Sequence, residues 1–155
     1  MIEKAYFKSQ AGVLEICANE NGVCEINFVK NFIKTQIKDE NLKLCLCELD
    51  GYFKGKLKKF TTKIDIKASK FAKSVYNELL NIPYGQTATY AQVAKAIKKD
   101  KAFRAVGNAN AKNKIPIIVP CHRVVSSNGL GGYSGGNGLE TKLFLLNLEH
   151  KYCES

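Results

Sequence analysis

Cys121 and His122 stand side by side in the run Ile117–Val125, which reads Ile-Ile-Val-Pro-Cys-His-Arg-Val-Val. A cysteine thiol is a poor nucleophile until a base or a positive field draws off its proton, and imidazole is the side chain suited to do so near neutral pH. The chain has only two histidines, so one of them beside a cysteine is a specific feature. Such a pair can supply an attacking thiolate. It can equally be a small core cysteine with a neighbour pointing elsewhere, since free cysteines are among the most buried residues and most are inert. The run by itself leaves both readings open.

The elements around it must do the positioning. Short stretches read as strands at Ala5–Phe7, Val13–Ala18 and Val23–Val29, separated by Ser9-Gln10-Ala11-Gly12 and Asn19-Glu20-Asn21-Gly22, where the Asn-Gly step suits a hairpin. From Leu42 the period lengthens through Leu46, Leu49 and Phe53, which predicts a short helix whose end is blurred by Gly51 and Gly55. In the second half, Phe71, Val75, Leu79 and Leu80 mark a helix ending at Pro83-Tyr84-Gly85. Thr87 or Thr89 caps the next helix, with Tyr90, Val93, Ala94 and Ile97, and Asp100 caps a third from Lys101 to about Asn110. Two short helices so closely joined suggest a helix-turn-helix.

Lys114–Val119 reads as an extended segment interrupted by Pro116. Ser126–Gly138 holds six of the twelve glycines and reads as a shaped loop. A last helix places its apolar period at Leu139, Leu143, Leu146 and His150, with Glu149 on its final turn. The expected fold class is α+β. A small N-terminal β-sheet domain with a packed helix (1–63) precedes a mainly helical C-terminal domain containing the helix-turn-helix (64–155).

Composition narrows the function classes. Net charge is +10, most of it in the second half, which favours a polyanionic partner through steering and phosphate contacts. A solubilising lysine surface explains the same charge without a partner. No apolar stretch is long enough to span a membrane, and the N-terminus lacks a signal peptide's apolar core. A cytoplasmic, intracellular protein with six reduced cysteines is therefore expected. No histidine precedes His122 and no Cys-x-x-Cys pair occurs, so neither metal nor cofactor is expected. In the third helix Ala102, Ala105 and Ala109 share a face beside Arg104 and Gly107. Small residues there permit either tight packing in the core or close approach to a nucleic-acid groove.

Pro120-Cys121-His122-Arg123-Val124, Ile82-Pro83-Tyr84-Gly85-Gln86-Thr87, Arg104-Ala105-Val106-Gly107, Gly132-Tyr133-Ser134-Gly135-Gly136 and Lys142…Leu145-Leu146…Glu149 are all present. Together they resemble the O6-alkylguanine-DNA alkyltransferase family, strongly from about Phe71 to Glu149 and weakly before Lys63. The resemblance implies a monomer that binds duplex DNA in the minor groove and flips an alkylated guanine out of the stack. The alkyl group then passes from O6 to a cysteine consumed in the reaction. On that resemblance Cys121 is the acceptor, His122 takes its proton through a water, Glu149 orients the imidazole, and Asn113 braces the turn around the cysteine. Tyr90 donates to the departing guanine, and Cys121, Val124 and Ser134 backbone groups read the base within a pocket walled by Tyr133, Ser134 and Gly135. Arg104 fills the vacated stack, with Thr89, Tyr90, Lys101, Ala102, Ala105, Gly107 and Arg123 also at the DNA.

Phe103 stands where a small residue is common, so its ring must turn inward or alter the groove contact. Lys114 replaces a usual proline, and Asn137-Gly138 looks like an insertion behind the pocket. Three alternatives stay open on the sequence: an alkyltransferase-like protein that binds lesions without accepting the group, a helix-turn-helix regulator, and a cysteine hydrolase. Activity on O4-alkylated thymine is left open.

Overall fold

The computed structural model describes residues 2–153. Strands β1 (Glu3–Ser9), β2 (Gly12–Asn19) and β3 (Gly22–Val29) form an antiparallel meander in that order. Gly22, at φ +142°, opens β3 where a Cβ would fall 2.7 Å from the Lys63 carbonyl oxygen. Only glycine lets the later segment run this close.

Helix α1 (Glu40–Phe53) starts at Asp39, whose carboxylate accepts the Leu42 N–H at 2.9 Å. Its apolar face, Leu42, Cys45, Leu49, Tyr52 and Phe53, is buried with Ala5, Leu14, Ile16 and Ile26 of the sheet. Gly51 does not break the helix. Leu57 folds back onto it, and the Gly51 carbonyl accepts the N–H groups of Lys56 and Leu57.

Helix α2 (Lys70–Leu79) is capped by Ser69 and buries Val75, Tyr76 and Leu79. After the Pro83–Gly85 turn, the short strand β4 (Ala88–Thr89) leads into α3 (Tyr90–Ala96), where Thr89 and Gln92 form a reciprocal capping box. Helix α4 (Phe103–Ala111) starts later than its sequence suggests, and Asp100 does not cap it. Lys98 turns the chain at φ +63° and the Ala102 N–H is taken by the Lys99 carbonyl at 2.8 Å. That tight turn leaves Ala102 as an N-cap without a side-chain bond.

Lys114–Val119 is not extended. Asn113 clamps it into turns, accepting the Ile115 N–H at 3.0 Å and donating to the Val119 carbonyl at 2.8 Å, with Ile117 at φ +75°. A single 3-10 turn, Cys121–Arg123, follows and feeds β5 (Val124–Val125), which pairs parallel with β4.

Helix α5 (Leu139–Tyr152) presents a different face from the one its leucines suggest. Leu139 and Leu143 are 50% and 45% exposed, while Thr141, Lys142, Leu145, Leu148 and Glu149 are buried. The helix is turned so that two charged side chains enter the interior. The apolar core runs without a break from the sheet into the helical half, and the Ile26 N–H donates to the Lys114 carbonyl at 2.8 Å across the join.

Candidate active site

The 3-10 turn places Cys121 at 5% exposure, where two clefts meet. One, of about 240 Å³, is lined by Tyr90, Gly107, Asn110, Tyr133 and Ser134. The other, of about 330 Å³, lies toward the sheet and is lined by Asn27, Phe28, Asn113, Pro116 and Gly135. Burial pushes the Cys121 thiol up to about 11, against the pull of the Asn113 carboxamide, the Lys142 charge and nearby backbone N–H groups. At neutral pH the resting residue is therefore a thiol that needs a base.

An imidazole is adjacent. His122 is fully buried, and its Nε2 lies 2.6 Å from Glu149 Oε2. Burial, joined by the Arg123 and Lys142 charges, lowers the imidazole's pKa against the pull of Glu149, so the ring rests neutral. Glu149 fixes the proton on Nε2, and Nδ1 has no partner among the described residues. Nδ1 therefore keeps a free lone pair inside the protein.

Glu149 is itself held on all sides. Arg123 donates from Nε to Oε1 at 2.8 Å and from Nη2 to Oε2 at 3.0 Å, a bidentate pair. The Tyr52 hydroxyl donates to Oε2 at 2.6 Å and the Gly85 N–H to Oε1 at 3.2 Å. Burial alone pushes this carboxyl's pKa up. The hydrogen bonds from His122 and Arg123, with the Arg123 charge, outweigh it and hold the group far below the usual carboxylate range. An acid in a last helical turn opposes the macrodipole, and these partners account for its presence there.

Arg123 is a correction to the sequence reading. Expected at the DNA, it is 7% exposed, with Nη1 on the Ile82 carbonyl at 2.8 Å and its other two nitrogens on Glu149. All three nitrogens are thus engaged inside the protein. Tyr90 borders the first cleft, its ring over Gly107 and its hydroxyl accepting the Gly132 N–H at 3.3 Å. Gly131, at φ +73°, passes so close that a Cβ would fall 2.5 Å from that hydroxyl. Ser134 Oγ donates to the Ala111 carbonyl at 2.9 Å, tying the glycine-rich loop to the end of α4. Within α4, Val106 and Ala109 face the core, whereas Arg104 and Ala105 are exposed, as is Lys101 ahead of the helix start. Ala102 and Thr89 are half-buried at the starts of α4 and α3. Phe103 does not turn inward and is 47% exposed beside Arg104.

Several site contacts escape sequence reasoning. Lys142 is fully buried and donates to the Val124 carbonyl at 2.6 Å and the Gly132 carbonyl at 3.0 Å, which latches the loop over Cys121. Burial lowers its pKa to about 8. Its spacing from Glu149, about two helical turns, puts both on one face of α5, a signal the leucine pattern obscures. Asn110 donates to the Cys121 carbonyl at 3.3 Å. Phe28 reaches the second cleft from β3, where a Cβ on Gly135 would meet its ring at 2.7 Å. Neither Phe28 nor Tyr52 carries a local sequence signal.

The family profile described as "6-O-methylguanine DNA methyltransferase, DNA binding domain" matches residues 70–151, and that described as "6-O-methylguanine DNA methyltransferase, ribonuclease-like domain" matches residues 2–66. The chain belongs to the O6-alkylguanine-DNA alkyltransferase family. A methylated-DNA–protein-cysteine methyltransferase of Methanosarcina acetivorans is 44% identical to it over 152 residues, 94% of this chain and 96% of that protein. The crystal structure of Mycobacterium tuberculosis O6-methylguanine methyltransferase matches with a TM-score of 0.87 at 32% identity, over 98% of this chain and 94% of the other. A structure of M. tuberculosis OGT in complex with DNA matches with a TM-score of 0.84 at 35% identity, over 96% and 93%. The family resemblance seen in the motifs thus extends over both halves, including the sheet domain where the motifs are weak.

Proposed function

We propose that this chain repairs DNA directly, by one irreversible transfer of an alkyl group from O6 of a flipped guanine to Cys121. The observation that carries this reading is the buried Cys121 at the meeting of two clefts, next in the chain to the hydrogen-bonded His122–Glu149 pair. His122 Nδ1 takes the thiol proton through a water, and the thiolate attacks the alkyl carbon in line. A C–S bond forms as the C–O6 bond breaks, and its electron pair passes to the guanine. Tyr90 donates to the guanine as that charge develops, and the thiol's proton replaces the one Tyr90 gives up. A thioether has no easy hydrolytic exit, so the protein reacts once. A retained thiol speaks against a lesion binder without acceptor activity, and the same dead-end product speaks against a hydrolase.

DNA binding runs through α3 and α4. An alkylated guanine pairs poorly, which lowers the cost of extruding it. The guanine enters the cleft between Tyr90 and Tyr133, with backbone groups of Cys121, Val124 and Ser134 reading its edge and Asn113 bracing the acceptor turn. Exposed Arg104 fills the stack, and the small side chains of Ala102, Ala105 and Gly107 allow close approach in the minor groove, with Thr89 and Lys101 near the phosphates. The protein acts as a monomer inside the cell.

Two tests follow from the clefts. Arg104→Ala should slow repair of O6-methylguanine in duplex DNA by about tenfold or more, yet leave reaction with a free O6-alkylguanine base nearly unchanged. Equal losses on both substrates remove the stack-filling role. The second cleft receives the alkyl group, and Phe28 limits its size. Phe28→Ala should raise the rate ratio of O6-benzylguanine to O6-methylguanine on the order of tenfold, measured as single-turnover rate constants on the two free bases. An unchanged ratio assigns the limit to other walls.

A further inference from the structure

Tyr52 lies on α1, in the half of the chain with no assigned chemistry, and is fully buried. Its ring packs edge-on against Phe53 at 5.3 Å and Tyr84 at 6.1 Å, and tilted against Phe60 at 5.6 Å. A phenylalanine would satisfy all of that packing. Burying a hydroxyl is unfavourable unless it finds a partner, and this one reaches Glu149 Oε2 at 2.6 Å across 97 residues of sequence.

We propose that Tyr52 is a positioning residue of the alkyl-transfer relay, its hydroxyl holding the Glu149 carboxylate so that His122 keeps its proton on Nε2 and its Nδ1 free toward Cys121. The inference rests on the alkyl-transfer reading above. Glu149 Oε2 accepts from Tyr52, His122 and Arg123, and Oε1 from Arg123 and Gly85. A carboxylate offers about four acceptor sites, so these donors saturate it. A saturated carboxylate is a weak proton acceptor and cannot draw the Nε2 proton away from the ring.

The groups facing this carboxylate are Tyr52, Tyr84, His122 and Arg123, and the charges acting on the imidazole besides Glu149 are Arg123 and Lys142. Arg123 and Lys142 disfavour the imidazolium, while Glu149 favours it. Tyr52 tempers Glu149. Burial, followed by the Glu149 charge, raises the Tyr52 pKa well above its ordinary value, so the hydroxyl remains a donor throughout the working range. Loss of the hydroxyl removes one of the three donors on Oε2, leaves more negative charge on that oxygen, strengthens its pull on His122 and stabilises the imidazolium. The base is then neutral only at higher pH. Correct docking of the two halves thereby becomes a condition for activating the thiol.

The test is Tyr52→Phe, read by ¹⁵N NMR of histidine, where only His122 and His150 contribute signals. The His122 titration should move up by roughly one pH unit. The acid limb of the alkylation rate with free O6-benzylguanine should move up with it, so that the rate falls several-fold on the acid side of the limb and recovers as pH rises above it. The additional loss on combining Tyr52→Phe with Glu149→Gln should be negligible. An unmoved His122 titration, or a full additive loss in the double variant, overturns the proposal even if alkyl transfer itself proceeds. Should Tyr52→Phe not fold, 3-fluorotyrosine incorporated at position 52 alone provides the converse perturbation. Its more acidic hydroxyl donates more strongly and should shift the His122 titration down, and no shift overturns the proposal.

Discussion

Cys121→Ser is expected to abolish alkyl transfer while leaving the fold and DNA binding in place. The two side chains are close in size, so the stability change should stay within about 1 kcal/mol. The chemistry differs far more. His122 is a weak base, its pKa lowered by burial, and a serine hydroxyl is much less acidic than even the elevated Cys121 thiol. The relay can form a thiolate but not an alkoxide. Two buried cysteines cannot substitute, because burial raises Cys17 to about 11 and Cys45 to about 12 and neither has a histidine in its half of the chain. After incubation with duplex DNA containing O6-methylguanine, intact mass spectrometry should find one added methylene per wild-type chain, mapped to Cys121, and none on the variant. An adduct at another cysteine, or DNA repaired in excess of protein, contradicts the mechanism.

The elements legible in the sequence are those whose local signals agree with their packing. β2 and β3 are apolar, β-branched runs joined at a Gly22 turn that only glycine can make, and α3 carries its Thr89 and Gln92 capping box in the sequence. Misreadings arise where tertiary partners override local preference. Lys114–Val119 is rich in β-branched residues and reads as extended, but the Asn113 side chain bonds to Ile115 and Val119, and the Val119 N–H closes a turn onto the Ile115 carbonyl. In α5 Leu139 and Leu143 suggest the inner face, yet the interior takes Lys142 and Glu149, because buried carbonyls and Arg123 await them.

The site divides in the same way. Cys121 and His122 are adjacent and visible as a pair, and the helix-turn-helix around Arg104 follows from spacing. The roles of Tyr52, Phe28 and Lys142 depend on contacts distant in sequence, the first to Glu149, the second to the Gly135 loop and the third to Val124. No local pattern encodes such contacts. Arg123 shows the opposite failure: the family resemblance places it at the DNA, and only its burial against Glu149 reveals an internal role.

Glu149→Gln should damage both stability and chemistry, and pH separates the two effects. The amide cannot balance the Arg123 guanidinium, which is left buried and uncompensated, at a cost of about 3–5 kcal/mol. The variant's NH₂ also faces donors from Tyr52 and His122. The imidazole relieves that clash by moving its proton to Nδ1, so that Nε2 accepts from the amide, and Nδ1 can no longer take the thiol proton. A loss of roughly 10²–10⁴ in the single-turnover rate near neutral pH is the expected result. Stability has its own signature. The native Glu149 pKa lies far below that of an unfolded carboxylate, so its contribution is fully present above about pH 5 and is lost as pH falls through the carboxylate range and below. The unfolded chain binds the proton first, which draws the equilibrium toward unfolding in acid. Glutamine has no such proton to bind. Denaturant titrations should therefore show a wild-type advantage that is largest near pH ~7 and narrows toward pH ~3. A difference that stays constant over that range would mean that the carboxylate charge is not what holds Arg123 and His122 in place.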